Sequence, residues 1–478
     1  MDQTLKTDLV FGEIDATEEL LIDVAQDLWE HPELGLHETY AADRLASTLA
    51  EAGFTVDREL GGMPTAFVAS YGTGEPIVGI LGEYDALPGP SQQVTSERAP
   101  IEPDGPGHGC GHNLFGTAGV GAALAVKRAI EAGHVDGTIR FYGCPAEETL
   151  VGKTYMARAG VFDDLDAALT WHPGDLSTPR LGTSNALNSL TFTFEGVAAH
   201  AGGSPDAGRS ALDGVELLNT GVEYMREHVP DDARLHYAIT NGGQAPNVVP
   251  AEASVWYFVR APNREEVDRL TDWLRDIAEA AAKMSQTTVT ERFLTGCYDY
   301  RANTVVTDCI WQNMNAIGSI PYDDDDRAFA AALQATVDQE RLATRLESLP
   351  EAVRENIGDA SLYPQPVPAH DEDEHTHGST EVGDVSWITP TGQFRAATWP
   401  VGAPGHSWQV VAANGDFAQR GIAFAAKVMA GAAVDLLADE EMLAAARDEF
   451  ETVIGAGAYD TPLPTTAEPP FDMTAPDR

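Results

Sequence analysis

Residues 107–112 read Gly-His-Gly-Cys-Gly-His, which sets two imidazoles and a thiol into one short glycine-rich stretch. Cys110 and His112 lie two apart, and the glycines let the backbone fold tightly enough for sulfur and ring nitrogen to converge on one ion. Glu147 and Glu148 follow an apolar run that reads as a strand. Adjacent carboxylates suit metal-assisted hydrolysis when one binds the ion and the other takes a proton from the attacking water. His172, in Trp-His-Pro, follows another apolar run, and His406 sits among glycine, proline and tryptophan. Together Cys110, His112, Glu148, His172 and His406 are thiolate, imidazole and carboxylate donors numerous enough for two divalent ions. Taken singly, each motif also reads as a glycine loop, a solvated helix start or a structural histidine.

These residues need a frame that brings distant stretches together. Helical spacing marks 16–30 and 39–52, and short apolar runs at 66–70 and 77–81 read as strands, the second leading into Gly-Glu-Tyr-Asp at 82–85. A small-residue helix follows the glycine loop. Strands at 138–142 and 167–171 flank another helix, and this alternation predicts an α/β sheet with helices on both faces and ligands at the loops after its strands. From about 186 to 297 the order becomes βαββαβ, the pattern of a ferredoxin-like unit. The remainder is mostly helical, with a strand near 395–399 and an acidic loop near 369–380 whose His375 and His377 read as solvated. The predicted organisation is a catalytic domain of residues 1–186 and 298–478, interrupted by an inserted domain of residues 187–297.

The chain has 478 residues and a formal net charge of −46, with 75 acidic against 29 basic side chains and 43% hydrophobic content. Acid spread over a chain of ordinary apolar content points to a salt-adapted surface rather than disorder. The reading is a cytoplasmic protein of a high-salt cytoplasm that unfolds at low salt. The charge argues against nucleic acid or anionic lipid as partners. No apolar run is read as approaching the roughly 20 residues that span a bilayer, and the first residues lack a secretory signal pattern. Cys144, Cys297 and Cys309 are read as reduced packing residues.

The stretches at 107–112, 144–148, 171–173, 196–205, 247–250 and 405–408 occur in an order that resembles the metal-dependent family of aminoacylases, carboxypeptidases and amidohydrolases. Within it they are similar to the branch of indole-acetyl-amino-acid hydrolases and p-aminobenzoyl-glutamate hydrolases. Residues 82–87, 379–387 and 405–408 look most like the B-subunit type. The resemblance implies an α/β/α sandwich with an inserted ferredoxin-like lid through which two copies dimerise. It implies two divalent metals, Mn²⁺ or Zn²⁺ with Co²⁺ also suited, held by Cys110, His112, Glu148, His172 and His406, with Glu147 as general base. Asp85 would support the ligands from behind. His200 would reach the partner subunit's site and steady an oxyanion, while Asn247 and Arg260 would bind the substrate's carbonyl or carboxylate. His108 falls outside this set, and Asn113 stands where relatives carry an aspartate that bridges or supports the metals. The implied activity is cleavage of the amide of N-acyl or N-aroyl amino acids, p-aminobenzoyl-glutamate-like compounds favoured. An aminoacylase or dipeptidase with the same centre, and a non-catalytic metal-containing binding protein, are the rival readings.

Overall fold

The computed structural model describes residues 3–473, apart from 373 and 456. Strands β1 (Thr55–Arg58), β2 (Phe67–Thr73), β3 (Ile77–Glu83), β4 (Gly137–Cys144), β5 (Ala167–Gly174) and β6 (Thr178–Arg180) share one sheet with a late strand, β13 (Thr391–Ala397). Between them in sequence come β7 (Thr183–Ser184), β8 (Ala186–Glu195), β9 (Arg234–Asn241), β10 (Glu252–Ala261), β11 (Thr288–Cys297) and β12 (His375–Thr376). The large sheet has the order β1-β2-β4-β3-β5-β13-β6. Its centre, β4-β3-β5-β13, is parallel, while β1, β2 and β6 run antiparallel to their neighbours.

A sheet buried on both faces needs apolar residues at successive positions, because alternate side chains point to opposite sides. Ile80, Phe141 and Leu169 enter one core with the helices Glu18–Glu30, His112–Glu131 and Arg420–Ala438. Their neighbours Leu81, Tyr142 and Ala168 enter a separate core with Tyr155 and Met156 of helix Gly152–Arg158 and with Val382 and Val385. Three layers result. Gly119 marks how closely helix His112–Glu131 approaches the sheet, since a Cβ there would sit 2.6 Å from the Phe141 ring.

Helix Arg420–Ala438 differs from the sequence reading that no segment is long and apolar enough to span a bilayer. Within the segment Phe417–Ala438 an 18-residue stretch reaches a mean hydropathy of 1.6, but 78% of that stretch is buried. It packs along helix His112–Glu131 as a core helix of the large domain. The strand expected near 395–399 starts earlier, at Thr391, because Thr391 and Gly392 pair with Ala168 and Leu169 of β5.

The second sheet has the order β11-β8-β10-β9, all antiparallel, with helices Ala211–Met225 and Arg264–Ser285 on one face. That is the ferredoxin-like arrangement expected from the βαββαβ order. Along β10, Val255, Tyr257 and Val259 are buried toward these helices, which leaves Trp256, Phe258 and Arg260 on the other face. Leu187 and Cys297 pair where the chain enters and leaves this unit, and the Arg264 guanidinium donates to both their carbonyls, at 3.0 and 3.1 Å.

His375 departs from its solvated reading. It lies in β12, which pairs with β7, and its ring contacts Thr183 Oγ1 at 2.8 Å and Asn185 Oδ1 at 2.6 Å.

Candidate metal centre and its cavities

Every candidate ligand sits at a carboxyl end of the parallel strands or at the helix start facing them, where open α/β sheets place their sites. Glu83 ends β3, Glu147 and Glu148 follow β4, His172 lies near the end of β5, and His406 follows β13. Gly111, with φ of 81°, turns the chain from the glycine loop into helix His112–Glu131. This turn lets Cys110 and His112 face the same point.

The donor atoms of Cys110, His112 and His172 lie within 4.8 Å of one another, and so do those of Cys110, Glu148 and His406. The expected ligands therefore fall into two triads that share the Cys110 sulfur. Cys110 Sγ is 3.3 Å from His172 Nε2, and His406 Nε2 is 3.3 Å from Glu148 Oε2. His172 Nδ1 lies 2.6 Å from the Pro173 carbonyl and donates to it, which leaves the Nε2 lone pair for the triad. His112 Nδ1 pairs with Asp85 Oδ1 at 2.9 Å, and Asp85 Oδ2 accepts from the Glu148 amide at 2.9 Å. One buried carboxylate thus contacts a residue of each triad.

A third group was not expected. Glu83, His112 and Glu147 also bring donor atoms within 4.8 Å of one another. Glu83 is already engaged by the fully buried Lys153, whose Nζ is 2.6 Å from Glu83 and 3.3 Å from Glu381. Burial pushes the Glu83 carboxyl up to about 7 against the pull of Lys153. Glu147 belongs to neither Cys110 triad, and its Oε2 lies 3.9 Å from His112 Nε2.

The set fits divalent cations. Among the described residues, buried His112 Nε2 and Glu148 Oε1 have no hydrogen-bond partner, though such atoms are ordinarily satisfied. Burial, then the nearby Glu148, pushes the Cys110 thiol up, and burial with the surrounding carboxylates pushes Glu148 well above the usual carboxylate range. A buried cluster of this composition is relieved by positive charge, and its mixture of sulfur, nitrogen and oxygen donors suits borderline metals. Asn113 is engaged through its amide nitrogen. Its amide donates to the Ala25 and Asn414 carbonyls at 3.2 Å each, so here it ties the helix to its neighbours. His108 sits apart, buried against the Leu28 carbonyl at 3.1 Å.

The backbone is strained around these groups. Ala146, Leu150 and His406 all have positive φ, at 56°, 60° and 62°. Such conformations cost about 1–3 kcal/mol each in residues other than glycine and gather at functional sites. Ala146 is held by its amide donating to the buried Glu38 carboxylate at 2.7 Å.

Two cavities meet at the ligands. Cys110, His172, Arg395 and His406 line both a space of about 1000 Å³ and one of about 410 Å³. The smaller also has Glu83, Glu147, Glu148, Arg180 and Arg260 in its wall.

With this arrangement in view, the sequence pattern of peptidase family M20/M25/M40 matches residues 79–468. The chain belongs to that family. This M20 chain is 42% identical over 470 residues to the B subunit of p-aminobenzoyl-glutamate hydrolase from Escherichia coli, covering 95% of this chain and 97% of that protein. It is 30% identical to indole-3-acetyl-aspartic acid hydrolase of Enterobacter agglomerans, over 48% of this chain and 55% of that one. A solved M20 structure from Bacillus subtilis, described as a dinuclear metal binding peptidase, superposes with a TM-score of 0.54 at 18% identity, covering 88% of this chain and 99% of that one. The M20 chain is a hydrolase of amide bonds from a dinuclear metal-dependent family, with a catalytic α/β domain and an inserted lid.

The M20 fold brings Arg260 into the smaller cavity but leaves His200 and Asn247 outside both. His200 and Asn247 are exposed together on the inserted unit, where Ala201 N donates to the Asn247 carbonyl at 3.0 Å. Glu83 and Glu381 lie in the stretches 82–87 and 379–387 that carry the resemblance, but neither is assigned a role from the sequence. Lys153, Arg180 and Arg395 have no motif that marks them, and only the strand-end position of Arg395 offered a signal.

Proposed function

We propose that this chain is a dinuclear amidohydrolase that cleaves N-aroyl amino acids of the p-aminobenzoyl-glutamate kind. The observation that carries the reading is the placement of Glu147 beside two donor triads that share Cys110, in the wall of a cavity that also holds Arg260. The 42% identity to the B subunit of p-aminobenzoyl-glutamate hydrolase supports the substrate class. Cys110, His112 and His172 would hold one ion and Cys110, Glu148 and His406 the other, with Mn²⁺ or Zn²⁺, and also Co²⁺, suited to the donors. Bound there, divalent ions supply a polarised carbonyl and a water acidified to a pKa of about 7.

The chain's own groups do the rest. Glu147 takes the proton from the attacking water and passes it to the departing amine nitrogen as the C–N bond breaks. Arg260, whose Nη1 donates only to Ser379 Oγ at 3.2 Å among the described residues, offers its guanidinium to a substrate carboxylate. Asp85 fixes the His112 ring. His200 and Asn247 act in the site of a second copy, where His200 steadies the oxyanion and Asn247 the carbonyl. Support for a homodimer through the inserted unit comes from their exposure and from the edge strand β9, whose Tyr237 and Ile239 are exposed. In this reading residues 1–186 and 298–478 form the catalytic domain and 187–297 the lid, and the surface charge fits a high-salt cytoplasm.

Glu147→Gln tests the assignment. Hydrolysis of p-aminobenzoyl-glutamate should fall by about 10²–10⁴ while elemental analysis shows unchanged metal content. Undiminished hydrolysis would remove Glu147 as base, and equal turnover of simple dipeptides by the parent would remove the aroyl-glutamate preference.

A further inference from the structure

The smaller cavity carries more positive charge than one substrate carboxylate needs. Arg180, Arg260 and Arg395 all line it, and among the described residues none of them has a carboxylate within 4.0 Å. That is conspicuous in a chain with 75 acidic side chains. The neighbouring larger cavity shows the usual situation: its Arg345 is paired with Asp175 at 2.8 and 2.9 Å.

Strand register explains how Arg180 and Arg395 come together. Arg180 of β6 lies opposite Gln393 of β13, and Arg395 is two residues farther along, so all three point to the same face. The two arginines are diagonal neighbours, a position within reach for long side chains. On its other side Arg395 lies opposite His172 of β5, so the pair begins one strand away from a candidate metal ligand. Among the described residues Arg180 hydrogen-bonds neutral groups only, with the Asp371 and Glu147 carboxylates acting on it from farther away. Its Nη1 donates to Gln393 Oε1 at 3.0 Å, its Nη2 to Thr376 Oγ1 at 3.2 Å, and it stacks over the Tyr300 ring at 5.2 Å. Burial and the charge of Arg395 together pull the Arg180 guanidinium below its ordinary value, to about 10. Two like charges on neighbouring strands repel, and an anion bound between them would offset that repulsion.

We propose that Arg180 and Arg395 form a second anion subsite, distinct from Arg260, that binds the side-chain carboxylate of an acidic amino acid. This rests on the amidohydrolase reading and deepens it. Arg260, from the lid, takes one carboxylate of the leaving amino acid, while Arg180 and Arg395, from the catalytic sheet, take the other. The substrate class narrows to N-acylated dicarboxylic amino acids. Arg180 is pre-oriented by Gln393, Thr376 and Tyr300, and Arg395 is the more exposed of the two.

The test compares p-aminobenzoyl-glutamate with p-aminobenzoyl-glutamine, which keeps the side-chain shape and removes its charge. In kcat/KM the parent should prefer glutamate by roughly 10–100-fold, as charged hydrogen bonds allow. Arg395→Met and Arg180→Met should each reduce that preference about tenfold or more, the loss falling chiefly on KM for the glutamate substrate. Arg395→Lys should restore part of it. Calorimetric titration of the metal-loaded protein with free glutamate and free glutamine gives a second readout that needs no turnover. Glutamate should bind more tightly, and Arg395→Met should abolish the difference. Equal losses on both substrates, or no preference in the parent, would overturn the subsite. Glutamate-selective binding that depends on Arg395, without hydrolysis of either amide, would uphold the subsite and overturn the hydrolase substrate assigned above.

Discussion

Gly111 shows how a single backbone position sustains the metal centre. Its φ of 81° is open to glycine at little cost, and a Cβ built there would lie 2.8 Å from Pro173 Cγ, next to His172. Gly111→Ala should therefore lower stability by about 1–3 kcal/mol and reduce metal content together, because Cys110 and His112 flank the turn. Urea unfolding with metal analysis of the same samples checks this, and a variant with the parent's midpoint would show that the turn adapts. Residue types carried much of this site into view. Cys110, His112, Glu147, Glu148, His172 and His406 stand in recognisable motifs, and the structure brings their donor atoms together. Lys153, and its pairing with Glu83, were illegible because what unites them is a buried ion pair across stretches far apart in sequence. Arg180 and Arg395 were illegible for a related reason: their adjacency follows from the register of β6 on β13, which no local pattern encodes.

At the scale of elements, the βαβ alternation and the βαββαβ insert were legible because period-2 burial and helical spacing are local properties. Short strands such as β1, β6, β7 and β12 were not, since strands of two to four residues exist only through partners elsewhere. The same dependence on distant partners appears in the short helix Val382–Ser386, whose Asp384 accepts from the Tyr459 hydroxyl at 2.8 Å and from the Tyr298 amide at 3.3 Å. Burial outweighs these bonds and pushes the Asp384 carboxyl from 3.8 up to about 7. The folded state then holds this proton more tightly than the unfolded chain. The Asp384 contribution to stability is therefore most favourable at low pH, declines as pH rises from about 4 to about 7, and is level above that. Asp384→Asn removes the titration, so the stability of the variant relative to the parent should rise by about 2–3 kcal/mol between pH 5 and pH 8. Urea unfolding at fixed high salt measures it, and a constant difference across that range would assign the titration elsewhere.

For the whole molecule, a net charge of −46 sets the conditions under which any of these measurements works. At molar salt the Debye length is about 3 Å, against about 30 Å at 0.01 M, so self-repulsion is screened in one buffer and acts across the fold in the other. Thermal unfolding followed by circular dichroism should show the midpoint rising steeply with KCl and the fold lost in dilute buffer. A midpoint independent of salt would refute the salt-adapted reading.

The place of β13 has a consequence for how the chain is made. It inserts between β5 and β6, although β6 ends at Arg180 and β13 begins only at Thr391. A ribosome adding roughly 5–20 residues per second needs about 10–40 seconds to cover that interval. Throughout it, β5 and β6 lack the strand that joins them, and such unpaired edges invite pairing with other chains. His406 emerges later still, so neither the sheet nor the second donor triad can close until most of the polypeptide has left the ribosome. A nascent chain stopped before Thr391 would therefore be sticky and unable to complete its metal centre, which makes the stretch from Thr391 to His406 the part that commits β5 and β6 to their fold.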